Sequence, residues 1–485
     1  MEKNKKITSV NMAFMAFMAV WGFGNIINGY RYYNGLGVIV MWILIFALYF
    51  VPYALMVGEL GCAFKNEGGG VSSWINASIG KKAAYYAGWT YMIVHIPYLS
   101  QKPTNCIVGL SWLIYGDGRL GGEGFKFFTT GPLANIPTAM IVQILGLILF
   151  FVTILLVLRG INFLKKLSMI AGTAIFIMSI LFVVMMIAAP SLNKSVSWSN
   201  IDFSPKTFLP PLTLTSVFNL SVLIFAVGGC EKLSPYVNKM KDPSKGFSKG
   251  MIILTILVAV CAILGTLSLG LLFNGKELNS EFITNGQYLA FAQVGELYGL
   301  GKSLMYIYCI CNVIVNVAVM IVSVDAPLKM LLENADRDYI PDWLTVKNKN
   351  GVYKNGVLCV AILVAILIII PALGADKVSS VVEYVIELNS ICMPMRYLWV
   401  FVAYIALKKH SDKFTSEYKF VKNKNVGIVI GGWCFAITAF ACCTKIFSEG
   451  GIGLIINILT PVVFILLGLI LPAIAKKTNK TEKVQ

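Results

Sequence analysis

The chain is a succession of apolar runs, each near twenty residues, separated by short polar connections. A run of about that length is what an α-helix needs to cross the ~30 Å hydrocarbon core of a bilayer. In lipid each backbone N–H and C=O must be satisfied within its own segment. A chain of this kind is therefore confined to a bundle of membrane-spanning helices, and the expected class is an all-α polytopic membrane protein. Twelve spans are predicted, near 9–33, 37–61, 83–113, 135–158, 166–190, 214–238, 248–273, 288–330, 355–373, 379–407, 426–447 and 452–475. The eighth window is too long for one span. Its start, 288–304, reads as an outer amphipathic piece leading into a span over 303–328.

Charge placement supports this class. Only 13% of residues are charged, against about 25% in soluble domains. No polar stretch is long enough for a soluble domain. The net charge of +17 invites a nucleic-acid reading. The Lys and Arg residues, however, lie in short connections, as membrane orientation requires, so no nucleic-acid partner is expected. With the N-terminus cytoplasmic, inner segments (Lys3, Lys5 and Lys6 first) hold 29 basic residues and outer loops 9. Lys102 and Arg396 remain within spans. The alternation puts both termini in the cytoplasm. The first apolar run lacks a clean cleavage site and reads as a span, not a signal peptide. The eleven Cys are scattered without a CxxC pair or a Cys/His cluster, so neither a metal nor a cofactor is expected.

Residues 1–8 and 476–485 read as cytoplasmic tails around one domain, 9–475. Repeat one covers about 9–190 and repeat two about 214–407. The last two spans, 426–475, lie outside. Five spans per half force the halves into opposite orientation, the inverted repeat of many secondary transporters.

Both halves open with a glycine-broken span: Trp21-Gly22-Phe23-Gly24-Asn25 in span 1 and Phe225-Ala226-Val227-Gly228-Gly229-Cys230-Glu231 in span 6. Glycine inside an apolar helix costs about 1 kcal/mol relative to alanine, and matched breaks point to a binding site near the bilayer midplane. N–H groups freed at Gly22, Phe23, Gly24 and Asn25 suit a carboxylate. Carbonyls freed around Val227, Gly228 and Gly229 suit an ammonium, and Phe225 could cap the pocket. The plainer reading of such glycines is close helix packing. Glu231 is a gating or titrating candidate because an acid within a span is costly. The plain alternative pairs it with Lys232 or Lys239 at the cytoplasmic end.

Span 3 carries the most polar mid-span stretch, with His95, Ser100, Gln101 and Lys102. His95 and Lys102 are expected to line the pocket. Lys102 would face an acidic substrate side chain or pair with Glu383 or Glu387. In span 10, Glu383 and Glu387 share a face and Asn389 follows, with Arg396 nearer the inner end. A buried ion pair that positions helices and contact with substrate, Asn389 included, are equal readings there. Asn312 and Asn316 in span 8 share a face and could line the path or bond between helices. Lys166 opens span 5, where a lysine ordinarily marks the inner boundary. No P-loop, HExxH or hydrolase pattern is present, so neither an ATP-driven pump nor an enzyme is expected.

These residues resemble the amino acid–polyamine–organocation (APC) superfamily over about 9–475. The marks are the two breaks, Gly58-Glu59-Leu60-Gly61, Glu67-Gly68-Gly69-Gly70-Val71-Ser72-Ser73-Trp74-Ile75 and Asn238-Lys239-Met240-Lys241-Asp242-Pro243. His95-Ile96-Pro97-Tyr98 and Asp336-Arg337-Asp338-Tyr339-Ile340-Pro341 resemble the bacterial glutamate/GABA antiporter group. The resemblance implies a LeuT-type 5+5 fold plus two helices, working by alternating access. It implies substrate carboxylate at the span 1 glycines, amino group at the span 6 break, an aromatic gate at Phe225 and gating or pH response at Glu231; Glu387, an acid within span 10, is a further candidate for gating or proton coupling. It also implies that Lys166 replaces a sodium ion. Phe23 stands where a small polar residue is usual, and Gly228-Gly229 where one glycine is usual. No C-terminal plug is expected after 475. The expected function is an amino-acid antiporter of glutamate/GABA type in the bacterial cytoplasmic (inner) membrane, acting on a small-molecule substrate as a monomer or homodimer. A proton-coupled carrier of neutral or cationic amino acids or polyamines is the alternative. A non-transporting sensor on the same fold is disfavoured by the short tails.

Overall fold

A computed structural model describes residues 6–121, 125–132, 134–193, 196–211, 213–279, 281–333, 336–370, 373, 378–448 and 450–481. Lys3 and Lys5 of the expected N-terminal tail, and 482–485 of the C-terminal one, lie outside the described residues. The described chain is all-helical, with isolated bridges but no strand. It begins with α1 (Ser9–Val20), α2 (Phe23–Tyr32), α3 (Val38–Ile45), a π-helical turn (Phe46–Phe50) and α4 (Val51–Ala63). Then come α5 (Val71–Ser78), α6 (Lys81–Tyr115), α7 (Thr138–Val157) and α8 (Ile161–Leu192). The middle holds α9 (Pro205–Phe208), α10 (Leu214–Phe218), α11 (Leu220–Val227), a 3₁₀ helix (Cys230–Lys239) and α12 (Gly246–Gly270). Next are α13 (Glu281–Leu297), α14 (Ser303–Leu332), α15 (Lys354–Ile369), α16 (Val378–Met395) and α17 (Tyr397–Lys409). The chain closes with α18 (Lys424–Ile446), α19 (Gly451–Leu467) and α20 (Ile470–Thr481).

Among the described residues, ten helical stretches are long and apolar enough to cross a membrane. They make this a multi-pass membrane protein. Ile148, Leu155, Ile177 and Val429 point outward from them, as a lipid-facing surface requires. α6 falls outside the ten because its centre is polar, yet it is 35 residues long and largely buried. α15 is only 16 residues long. The outer piece expected at 288–304 is instead α13, starting at Glu281 and buried on one face. It stops earlier because Gly299 and Gly301 adopt positive φ and turn the chain before Ser303.

With lipid as apolar as leucine, helices associate through close packing rather than water exclusion. Gly172 of α8 shows this: a Cβ there would sit 2.1 Å from the Phe14 carbonyl of α1. Gly88 of α6 likewise abuts Met330 and Leu331 of α14. Two backbone hydrogen bonds tie the chain start to the end of the 3₁₀ helix. Ile7 N–H donates to Lys239 O (3.1 Å) and Lys241 N–H to Ile7 O (2.8 Å).

Outside the spans, Lys81 and Asp336 form a 2.7 Å ion pair. The Lys81 hydrogen bond, then the Asp338 N–H, hold the Asp336 carboxyl below its usual range. A depressed carboxyl stabilises the fold above its unfolded value near 4 and loses that contribution as pH falls through the folded value. Lys81 is 72% exposed, so water screens the pair. Asp336→Asn is expected to lower Tm slightly at pH 7, with the difference from wild type shrinking at an acid pH below the ordinary carboxyl range. Thermal unfolding in detergent at both pH values checks this, and an equal difference at both would reject it.

Candidate substrate site

The first break is short. α1 ends at Val20, Trp21 and Gly22 are extended, and α2 restarts at Phe23. At the start of a helix the N–H groups have no carbonyl four residues back, so those of Phe23 and Gly24 are available donors. A Cβ on Gly22 would meet nothing within 4 Å, so that face opens onto space. The second break is tighter. α11 ends at Val227, Gly228 is extended and Gly229 has φ +113°, a conformation that favours glycine. A Cβ on Gly228 would lie 2.1 Å from the Tyr397 ring. The two glycines thus have separate reasons: one takes the ring, the other the turn. Asn25 joins the breaks. Its Nδ2 donates to Val20 O (3.2 Å) and Ala226 O (3.0 Å).

Between the breaks lies a cavity of about 120 Å³. Its walls include Gly22, Phe23, Gly24 and Asn25 from the first break, and Phe225 and Gly228 from the second. Lys102 of α6 and Asn312 of α14 also face it, as do three groups not expected there: Lys232, Arg396 and Tyr98. Phe23 is held by rings rather than standing free, edge-on to Phe182 (4.8 Å) and tilted against Phe291 (5.0 Å).

The sequence profile of the amino acid permease family matches residues 7–483. The chain belongs to that family. The permease is 41% identical to the aspartate/glutamate permease AcaP of Lactococcus lactis subsp. cremoris, over 98% of this chain and 96% of that one. It is 22% identical to the inner membrane transporter YjeM of Salmonella typhimurium, covering 90% and 89% of the two chains. Over 78% of the permease and 75% of the relative, it is 21% identical to a probable agmatine/putrescine antiporter, AguD, of Lactococcus lactis subsp. lactis. These relatives are transporters, not enzymes.

Several expected site residues of the permease lie elsewhere than the sequence suggested. His95 is buried but does not line the cavity. Its Nδ1 lies 2.6 Å from Tyr91 O, and Arg396 Nη1 contacts its Nε2. The network assigns the proton to Nδ1, which leaves Nε2 to accept from Arg396. Glu231 pairs with neither Lys232 nor Lys239. It is wholly buried, takes a hydrogen bond from the Tyr53 hydroxyl, and lies 3.2 Å (Oε1) from Arg396 Nε. Neither of those last two atoms has a hydrogen-bond partner, so their contact is charge on charge rather than a directed bond. Arg396 is thus not toward a helix end facing water. It sits at the break between α16 and α17, after Pro394, and is 1% exposed.

Asn312 donates to the Tyr288 hydroxyl (2.7 Å) and accepts from Asn316 (3.1 Å). Asn389 is behind the wall, donating to Gln101 Oε1 (3.3 Å). Val227 is likewise buried behind it, and Gly229 backs onto Arg396. The expected Lys102 pairing with Glu383 or Glu387 is absent: among the described residues no carboxylate lies within 4 Å of Lys102. Glu387 pairs with Lys445 of α18 (3.3 Å). Lys166 is exposed near the start of α8. Leu164, Ser168, Ala171 and Ile175 form the buried face there. Lys166 falls between Leu164 and Ser168 at two-residue spacing, which puts it on the opposite side of a 3.6-residue helix. The position does not suit replacement of an internal cation.

Among the described residues the cavity wall therefore holds three basic groups, Lys102, Lys232 and Arg396, with the Glu231 carboxylate behind Arg396. Arg396 carried a sequence signal, a cation inside an apolar span. Lys232 did not: next to a presumed inner end, it counted as one more orienting charge.

Proposed function

We propose that this permease carries aspartate and glutamate across the cytoplasmic membrane by alternating access. The observation that carries the reading is the excess of cations in the cavity between the broken spans. A dicarboxylic amino acid brings a net negative charge to it, whereas GABA is net neutral and a polyamine would be repelled. The name of the AcaP relative supports the same substrate class. In this reading the α-carboxylate meets the N–H donors at Gly22–Gly24, and the amino group meets carbonyls at the Val227–Gly229 break. Asn25, Asn312 and Phe225 complete the pocket. Glu231 with Arg396, and Glu387 with Lys445, act in gating, and His95 and Asn389 support the wall from behind. α6 and α15 bring the spans to twelve, arranged as inverted repeats 9–190 and 214–407 with two further spans and both ends cytoplasmic.

The test is uptake of radiolabelled aspartate and glutamate into proteoliposomes, empty or preloaded with glutamate, GABA or arginine, at pH 5.5 and 7.5. Saturable uptake of both acids is expected, inhibited little by arginine or putrescine. Stimulation only by internal glutamate would identify exchange, and uptake into empty vesicles driven by an acid-outside gradient would identify proton coupling. Uptake of arginine or putrescine without aspartate or glutamate would overturn the proposal.

A further inference from the structure

We infer that Lys232, with Lys102, forms the subsite for the side-chain carboxylate of the substrate, and that Lys232 sets the preference for acidic over neutral amino acids. The inference rests on the acidic-substrate reading above and assigns it a residue.

Lys232 lies in the 3₁₀ helix just past the second break and is 1% exposed. Its Nζ donates to Ser323 Oγ of α14 (3.2 Å) and sits 4.7 Å from the centroid of the Tyr98 ring. Lys102 Nζ lies 4.5 Å from the same centroid. Two ammoniums thus flank one ring on the cavity wall. An ammonium has three N–H donors, and the hydroxyl of Ser323 takes one of those of Lys232. Among the described residues neither lysine has a carboxylate within 4 Å. Glu231 is its neighbour in sequence, but that carboxylate is turned to Tyr53 and Arg396.

A buried ammonium with no carboxylate in contact is unfavourable, and the ring face and the more distant Glu231 charge offset only part of that. A lysine serving as an apolar spacer would not need its head group in a polar cavity beside a second one. The arrangement suits an anion that comes and goes. Arg396 is a poorer candidate, because its guanidinium is already engaged by Glu231, His95 and Tyr397. With the α-carboxylate at the Gly22–Gly24 donors, the second carboxylate of aspartate or glutamate is left to the two lysines.

The experiment is uptake of labelled glutamate into proteoliposomes, with competition by aspartate, glutamine and glutamate γ-methyl ester. In wild type, glutamine and the ester should compete about tenfold or more weakly than aspartate. In Lys232→Met the KM for glutamate should rise about tenfold or more, with glutamine competing as well as before or better. Ser323→Ala, which keeps the charge but frees it, should raise the KM about fivefold, for the acidic substrates only. An unchanged glutamate-to-glutamine ratio in Lys232→Met overturns the inference. If that variant does not fold, equal competition by the γ-methyl ester in wild type overturns it instead. Failure of wild type to take up either acid would remove the acidic-substrate reading itself, whereas wild-type uptake with an indifferent Lys232→Met would remove only the subsite.

Discussion

Replacing Arg396 by methionine is expected to lower aspartate and glutamate uptake by about 100-fold and to destabilise the purified protein by roughly 3–5 kcal/mol. The arginine is the partner of a wholly buried carboxylate, with Nε 3.2 Å from Glu231 Oε1. Truncating one member leaves Glu231 charged and unpaired, with the Tyr53 hydroxyl its one remaining hydrogen-bond donor among the described residues. A buried pair removed as a unit behaves differently, because no orphan charge remains. Arg396→Met combined with Glu231→Gln should regain most of the thermal stability while still failing to transport. Melting temperature in detergent and uptake in proteoliposomes separate the two effects. A single Arg396→Met variant as stable as wild type would mean that Glu231 is held without the arginine.

The second large effect contrasts the two breaks. Gly228→Ala should be destabilising, because its Cβ would lie 2.1 Å from the Tyr397 ring. That ring is fully buried and cannot give way freely, and overpacking of this kind costs typically 1–3 kcal/mol. Uptake should fall with it, as Tyr397 also bonds Arg396 Nη2. Gly22→Ala should behave in the opposite way. Nothing lies within 4 Å of its Cβ, so folding should be unaffected. The methyl instead projects onto the cavity wall and should raise the KM for both acids. Equal melting temperatures for the two variants would show that Gly228 is not held against the ring in the folded protein.

The apolar runs showed most of the helices, since length and hydropathy are local properties of the sequence. The two glycine breaks were legible for the same reason: Gly22 and Gly228-Gly229 interrupt runs that would otherwise be plain helix. Spacing alone could not say which glycine answers to which constraint, because the Tyr397 ring reaches Gly228 from a segment far along the chain. The charged residues were the least legible. Lys102 was open to a substrate side chain or to Glu383 or Glu387, and Glu387 found Lys445 instead. Lys166 read as internal only through a family likeness, and helical phase turns it outward. Arg396 stood out as a cation within a span, whereas Lys232 lay where a boundary charge and a site charge look alike in sequence. Only the fold, by placing α6, α16 and the second break side by side, separates them.

The contacts that join the two halves have a consequence for how the protein is made. Ile7 is stitched to Lys239 and Lys241, and Asn25 to the carbonyl of Ala226. At ribosomal speeds of about 5–20 residues per second, those partners are synthesised roughly 10–50 s after the first span is. During that interval the nascent first half must wait in the bilayer with its helix break bare and the Asn25 amide short of one acceptor. That polar notch gains its second acceptor from within the protein only when the sixth span arrives. Slowing synthesis between the two halves should therefore lower the yield of folded permease more than slowing it after span 6.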